Sequence, residues 1–136
     1  MGVVYSAEDP RLGRSVALKT VRTELASEEA RERLRREARA AASISHPNIC
    51  QLYEIGEHDG ELFIAMELLV GEPLSARIER GALPVAESVR IVVDILGALG
   101  ALHRRGVLHR DLKPSNIFLT EHGAKLLDFG IAHLEA

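Results

Sequence analysis

Apolar and polar residues follow two different periods along this 136-residue chain, and the change of period divides it. Residues 3–7 and 15–21 alternate at every second position around the polar stretch Glu8-Asp9-Pro10-Arg11-Leu12-Gly13, which predicts two short strands joined by a turn. In the second run Val16 and Leu18 share one face, while Ala17, Lys19 and Val21 share the other. A small alanine beside a lysine leaves room for a flat group with a cation next to it. Ser27 ahead of Glu28 and Glu29 predicts a helix start, with helical spacing to about residue 43 and Leu34, Ala38, Ala41 and Ala42 on the inner face. His46-Pro47-Asn48 ends that helix. Runs at 52–55 and 62–68 flank Glu57-His58-Asp59-Gly60 and predict a second pair of strands.

Pro84 opens a long helix to about residue 102, in which Val85, Val89, Val92, Val93, Leu96 and Leu99 recur at helical spacing. Gly106, after Arg104 and Arg105, marks its end. Gly97 and Gly100 inside it each cost about 1 kcal/mol relative to alanine, so packing must offset them. Strands with one helix come first, then mostly helix and loop. That order predicts two lobes with a hinge near 67–71.

Composition narrows the partners. With 46% apolar and 27% charged residues the chain reads as a globular domain, and a net charge of −3 favours neither nucleic acid nor an anionic membrane. Arg22, Arg31, Arg33, Arg35, Arg36 and Arg39 interleave with Glu24, Glu28, Glu29, Glu32 and Glu37, which predicts a solvated helix face with pairs such as Glu29–Arg33 and Glu32–Arg36. Cys50 is the single cysteine, so no disulfide framework or zinc cluster is expected and a reducing, cytoplasmic setting is. No signal peptide is expected at the start, and Glu87, Arg90 and Asp94 interrupt the longest apolar helix, so no membrane span is expected within the chain.

Two features carry chemistry. Glu37 lies beside Ala38 and three residues after Leu34, near the inner helix face, where an unpaired carboxylate costs several kcal/mol. Lys19 on the pocket-facing side of its strand is one available partner and Arg33 on the helix surface is another; spacing leaves both open. The denser signal is His109-Arg110-Asp111-Leu112-Lys113-Pro114-Ser115-Asn116, followed twelve residues later by Asp128-Phe129-Gly130. Pro114 excludes a regular helix interior, so Asp111 and Asn116 sit on a structured loop able to aim both side chains at one point. Asp128 adds a second carboxylate before a permissive glycine. Hard oxygens of this kind suit Mg²⁺ bound jointly with phosphates, and Lys113 stands where it can neutralise a phosphoryl group. Any one Asp or Asn here is compatible with a turn cap; the whole string points to phosphoryl transfer.

These residues resemble the eukaryotic-type (Hanks-type) serine/threonine protein kinases, most closely the bacterial branch. Val16-Ala17-Leu18-Lys19 matches the ATP-lysine motif, and the lead-in Asp9, Leu12, Arg14 is typical of that branch. The resemblance implies an α+β, protein-kinase-like fold, with an N-lobe over 1–66 lacking its first strand, a hinge at 67–71 and a partial C-lobe over 72–136. It implies ATP and Mg²⁺ as cofactors and a Ser/Thr hydroxyl of a protein substrate as acceptor, the last from Lys113-Pro114. Lys19 would hold the α/β-phosphates and pair with Glu37, Asp111 would accept the hydroxyl proton, and Lys113 would meet the γ-phosphate. Asn116 and Asp128 would bind Mg²⁺, and Gly2 would be the last glycine of the phosphate-covering loop. Val4, Ala17 and Phe118 would enclose adenine, with Met66 at the back of the pocket and the backbones of Glu67 and Leu69 bonded to the base.

Arg110 resembles the arginine on which a phosphorylated activation loop docks, and His109 a buried brace of the loop; His46, His58, His103, His122 and His133 read as turn or packing residues. The resemblance covers essentially the whole chain, which corresponds to about the first half of such a domain. The first strand and first two glycines, the activation loop, the Ala-Pro-Glu-type motif and the lower-lobe helices have no counterpart in it. The 85–102 helix is therefore expected to show an apolar patch larger than a few hundred Å². Two readings follow: a fragment of an active kinase, or a catalytically silent kinase-like module that at most binds nucleotide or a partner. A small-molecule phosphotransferase of related fold fits less well, given Lys113-Pro114 and Gly130.

Overall fold

The computed structural model describes residues 4–21 and 27–127. Four antiparallel strands form the first sheet: β1 (Val4–Asp9), β2 (Arg14–Val21), β3 (Leu52–His58) and β4 (Glu61–Glu67), in spatial order β1-β2-β4-β3. Asp9 closes the first turn, its Oδ1 accepting the N–H groups of Arg11 at 3.0 Å and Leu12 at 3.4 Å, so β1 runs two residues past its predicted end. The second hairpin is tighter than its polar stretch suggested. Asp59 and Gly60 have φ of 50° and 79°, a two-residue turn of the kind Asp-Gly favours, and Glu57 and His58 belong to β3.

Helix α1 (Glu28–Ala42) packs on β3 through Leu34, Ala38 and Ala41, and Ser27 Oγ accepts the Ala30 N–H at 3.2 Å as its cap. Its charges pair differently from the expected Glu29–Arg33 and Glu32–Arg36. Arg31 and Arg35 turn toward the hairpin and reach Glu57 at 2.9 and 2.7 Å, and Arg35 keeps Glu32 as an i,i+3 neighbour at 3.5 Å. Arg31 and Arg35 thus share a tertiary partner on the hairpin besides their neighbours along the helix.

The second sheet has no counterpart in the sequence reading. Strands β5 (Gly71–Pro73), β6 (Ile117–Thr120) and β7 (Gly123–Leu126) are antiparallel neighbours, with β5 pairing across more than forty residues of chain to β6. Runs of three and four residues carry too little alternation to announce themselves. Gly71 has φ 150°, and a Cβ there would lie 1.9 Å from the Leu119 carbonyl oxygen, so this edge requires glycine. A short helix α2 (Leu74–Glu79), also unanticipated, leads to α3 (Val85–Arg104).

Helix α3 buries Ile91, Ile95, Ala98, Ala101 and Leu102. The recurring series of the sequence lies on the other side: Val85, Val89, Val92, Val93 and Leu96 are exposed, from 55% to 80%, and Leu99 alone of that series packs against the core. Gly97 faces the His46 ring, where a Cβ would sit 3.4 Å away at ordinary contact distance. No helix among the described residues is long and apolar enough to cross a membrane.

The two sheets meet at one seam. Ile49 and Leu126, both fully buried, form a parallel bridge; Leu126 N–H donates to the Asn48 carbonyl at 2.8 Å and Cys50 N–H to the Leu126 carbonyl at 3.0 Å. Leu34, Leu62, Ile64 and Leu102 complete a continuous core across the seam.

The exposed valine face makes a direct prediction. Replacing Val89, Val93 and Leu96 with glutamate or lysine changes stability by no more than about 0.5 kcal/mol, as for other surface positions. The same variant sediments as a monomer at concentrations where the parent chain self-associates. A monomeric parent, or an unfolded variant by circular dichroism, contradicts this.

Candidate active site

Pairing register sets the upper wall of the site. Val4 lies opposite Lys19 on β1 and β2, and Ala17 lies opposite Met66 on β2 and β4. Because alternate residues share a face, these side chains converge, and the chain leaving β4 continues the wall through Glu67, Leu68 and Leu69. Phe118 from β6 and Leu127 after β7 close the floor, with the buried Cys50 between. Together they line a cavity of about 260 Å³ whose surface is mostly carbon apart from Lys19 and Glu67. Six residues expected around adenine are thus gathered, Val4, Ala17, Met66, Glu67, Leu69 and Phe118, together with Lys19, expected at the phosphates. A larger groove of about 660 Å³ on the opposite sheet face, around Arg14 and Tyr53, brings together none of them.

The loop before β6 is braced from inside. His109 is buried; its Nδ1 accepts the Asp111 N–H at 3.1 Å and its Nε2 lies 2.6 Å from the Leu127 carbonyl. A neutral imidazole with its proton on Nε2 satisfies both contacts. Arg110 takes a positive φ of 70°, a left-handed kink uncommon for any residue other than glycine, just ahead of Asp111. A single 3₁₀ turn at Pro114–Asn116 then delivers Asn116, whose Nδ2 donates to the Asp111 carbonyl at 2.9 Å and to Asp111 Oδ2 at 3.1 Å. Lys113 Nζ lies 3.3 Å from the same Oδ2. Asp111, Lys113 and Asn116 are therefore brought together on this loop.

The Lys113 hydrogen bond holds the Asp111 carboxyl below the usual aspartate range, reinforced by the Lys113 charge and the Asn116 amide against a partial loss of hydration. The carboxylate is the resident form. Asn116 is buried and spends its amide nitrogen on Asp111, on the backbone carbonyl and on Oδ2.

Glu37 is the exception. Its Oε1 accepts from Arg33 Nε at 3.2 Å, one helical turn away, and its Oε2 is buried with no hydrogen-bond partner. Of the two partners left open by spacing, the structure places Arg33 on this carboxylate, because an i,i+4 neighbour reaches it without moving the helix. Lys19 is engaged in contacts of its own. Gly2 and Asp128 lie outside the described residues. The sequence did not announce Cys50, Leu68 and Leu127 as lining residues, nor a 2.7 Å ion pair between Lys125 and Glu67. The one available signal was the apolar alternation of 124–127 just ahead of Asp128.

A four-stranded sheet with one helix, set over a second small sheet whose preceding loop carries Asp111 and Asn116, is the protein-kinase-like architecture. The family model described as protein kinase domain matches residues 1–135. The chain is 44% identical over 138 residues to the probable serine/threonine-protein kinase pknA2 of Bifidobacterium longum, covering 97% of this chain and 18% of that protein. The crystal structure of the Mycobacterium tuberculosis PknI kinase domain superposes with a TM-score of 0.87 at 39% identity, over 96% of this chain and 54% of that one. Rad53 1-466 in complex with AMP-PNP superposes with a TM-score of 0.84 at 27% identity, over 96% of this chain and 35% of that one. The chain belongs to the protein kinase family, and it spans about half of the solved PknI domain.

The loop geometry makes a titration prediction. A carboxyl whose folded pKa is depressed contributes stability above its unfolded value, near pH 3.9, and loses it as pH falls through the folded value. Lys113→Met is expected to move the Asp111 carboxyl up toward the ordinary aspartate range in a ¹³C-NMR titration and to shrink that acid-side contribution. An unmoved Asp111 titration contradicts the assigned cause.

Proposed function

We propose that this chain is the nucleotide-binding and catalytic-loop portion of a serine/threonine protein kinase, transferring the γ-phosphoryl group of ATP to hydroxyls on protein substrates. The observation that carries the reading is the double role of Leu127. It lines the apolar slot, and its backbone is bonded on both sides to the loop, N–H to the Asn116 carbonyl at 2.8 Å and carbonyl to His109. The slot and the Asp111 loop are thus parts of one site. In this reading 1–66 form the N-lobe, 67–71 the hinge and 72–136 a partial C-lobe.

A flat carbon-lined cavity suits a purine, and the AMP-PNP complex of Rad53 supports ATP as its source. Among the described residues no cluster of three His, Cys, Asp or Glu side chains stands ready to hold a metal by itself. Mg²⁺ takes few protein ligands and the rest from phosphate and water. Asn116 and Asp128 would hold it, and the ion would neutralise charge on the transferring phosphates.

Asp111 orients the acceptor hydroxyl and takes its proton. Its low pKa is no obstacle, because in a loose transition state there is little covalent chemistry for the protein to perform. Lys113, 3.3 Å from that carboxylate, offsets charge on the phosphoryl group, and Lys19 meets the α/β-phosphates. The single cysteine and the charge of −3 support a cytoplasmic setting and a protein, not nucleic-acid, substrate. One observation favours the catalytically silent alternative: Glu37 is held by Arg33 with its second oxygen unbonded.

Mg²⁺-ATP at one hundred times its Kd is expected to add about 2.7 kcal/mol to the chain's stability, read as a thermal shift. Lys19→Met and Asp128→Asn abolish that shift. Phosphate transfer to a generic protein substrate falls by about 10²–10⁴ in Asp111→Asn. A shift without transfer establishes the silent module; no shift overturns the nucleotide site.

A further inference from the structure

Glu67 closes β4 and lines the slot, yet its carboxylate turns away from it. Oε1 accepts from Lys125 Nζ at 2.7 Å and Oε2 from the Gln51 N–H at 3.1 Å. Its own N–H donates to the Gln51 carbonyl at 2.8 Å, and its carbonyl receives the Cys50 thiol at 3.5 Å. Every polar atom of this residue is therefore bonded, and its orientation is fixed. The side chains of Lys125 and Glu67 are 14% and 27% exposed, so loss of either leaves the other's charge without a partner in a poorly hydrated place.

Lys125 is equally well placed. It stands on β7 opposite Phe118, the floor of the slot. Two residues further along, Leu127 is bonded to His109 and Asn116 on the catalytic loop. One end of this short segment grips the wall of the slot, and the other end grips the loop that carries Asp111.

We infer that Lys125 is a positioning residue: through its ion pair with Glu67 it sets the spacing between the backbone lining the nucleotide slot and the Asp111 loop. The nucleotide it serves rests on the function proposed above; the tether itself rests on these contacts. A ligand that spans slot and loop depends on that spacing, whereas a ligand confined to the slot does not. A pair that merely stabilised the fold would weaken both ligands alike.

Cys50, the single cysteine, is 5% exposed and touches the Glu67 carbonyl, so its reactivity reports on the tether without any ligand. In the full chain, Lys125→Met is expected to speed labelling of Cys50 by a disulfide reagent about tenfold under conditions where circular dichroism shows it folded. The same change raises the Kd of Mg²⁺-ATP about tenfold and that of adenosine by less than about threefold. Lys125→Arg, which keeps the charge, returns both readings to within about threefold of the parent. If Lys125→Met fails to fold, Glu67→Gln is expected to give the same labelling increase. Unchanged labelling, or equal loss of ATP and adenosine binding, overturns the inference. A parent chain that binds neither ligand overturns the kinase reading, while the labelling still decides the tether.

Discussion

Everything at this site depends on one backbone seam. The extended stretch 48–50 lies against Leu126, fixed by two main-chain hydrogen bonds of 2.8 and 3.0 Å and sealed by Ile49 and Leu126, neither of which is more than 1% exposed. On one side of the seam stands the sheet that presents Ala17 and Lys19. On the other stands β7, whose next residue, Leu127, carries the catalytic loop. Bonds of this type in a dry setting are expensive to leave unmade, which holds the seam closed. The relative position of cation and loop is thereby a property of the core.

Within that frame the loop is held by local chemistry. His109 braces it against Leu127, Arg110 supplies the kink, and Pro114 starts the turn that returns Asn116 to Asp111. The same contacts that fix the geometry also keep the carboxylate ionised, because Lys113 and Asn116 favour its charged form. Glu37 shows the opposite arrangement. Its pairing with Arg33 leaves a buried oxygen unbonded, an unmet acceptor on α1.

What was legible in the sequence was what short-range rules control. Period-two alternation placed Ala17 and Lys19 on one face, Ser27 announced a helix cap, and the spacing of Asp111, Pro114 and Asn116 announced a loop that aims two side chains together. What was hidden rests on distant partners. Strand β5 exists because Gly71 can lie against Leu119, and the Glu67–Lys125 pair spans 58 residues of chain. The valines of α3 were conspicuous because they repeat, yet Ile91, Ile95 and Leu102 do the packing. Periodicity reveals that a face is apolar without revealing which neighbour it meets. Asp128 and Gly2 remain expectations drawn from resemblance.

The central claim is that slot and loop, brought together by the seam at Leu126, form a single nucleotide site. Mapping amide shifts in ¹⁵N-labelled chain on addition of Mg²⁺-AMP-PNP tests it most directly. The account predicts that Ala17, Lys19 and Leu69 on one side and Asp111, Asn116 and Leu127 on the other move together, with a single binding constant. Shifts confined to one side of the seam, or two sets that titrate with different constants, would contradict it.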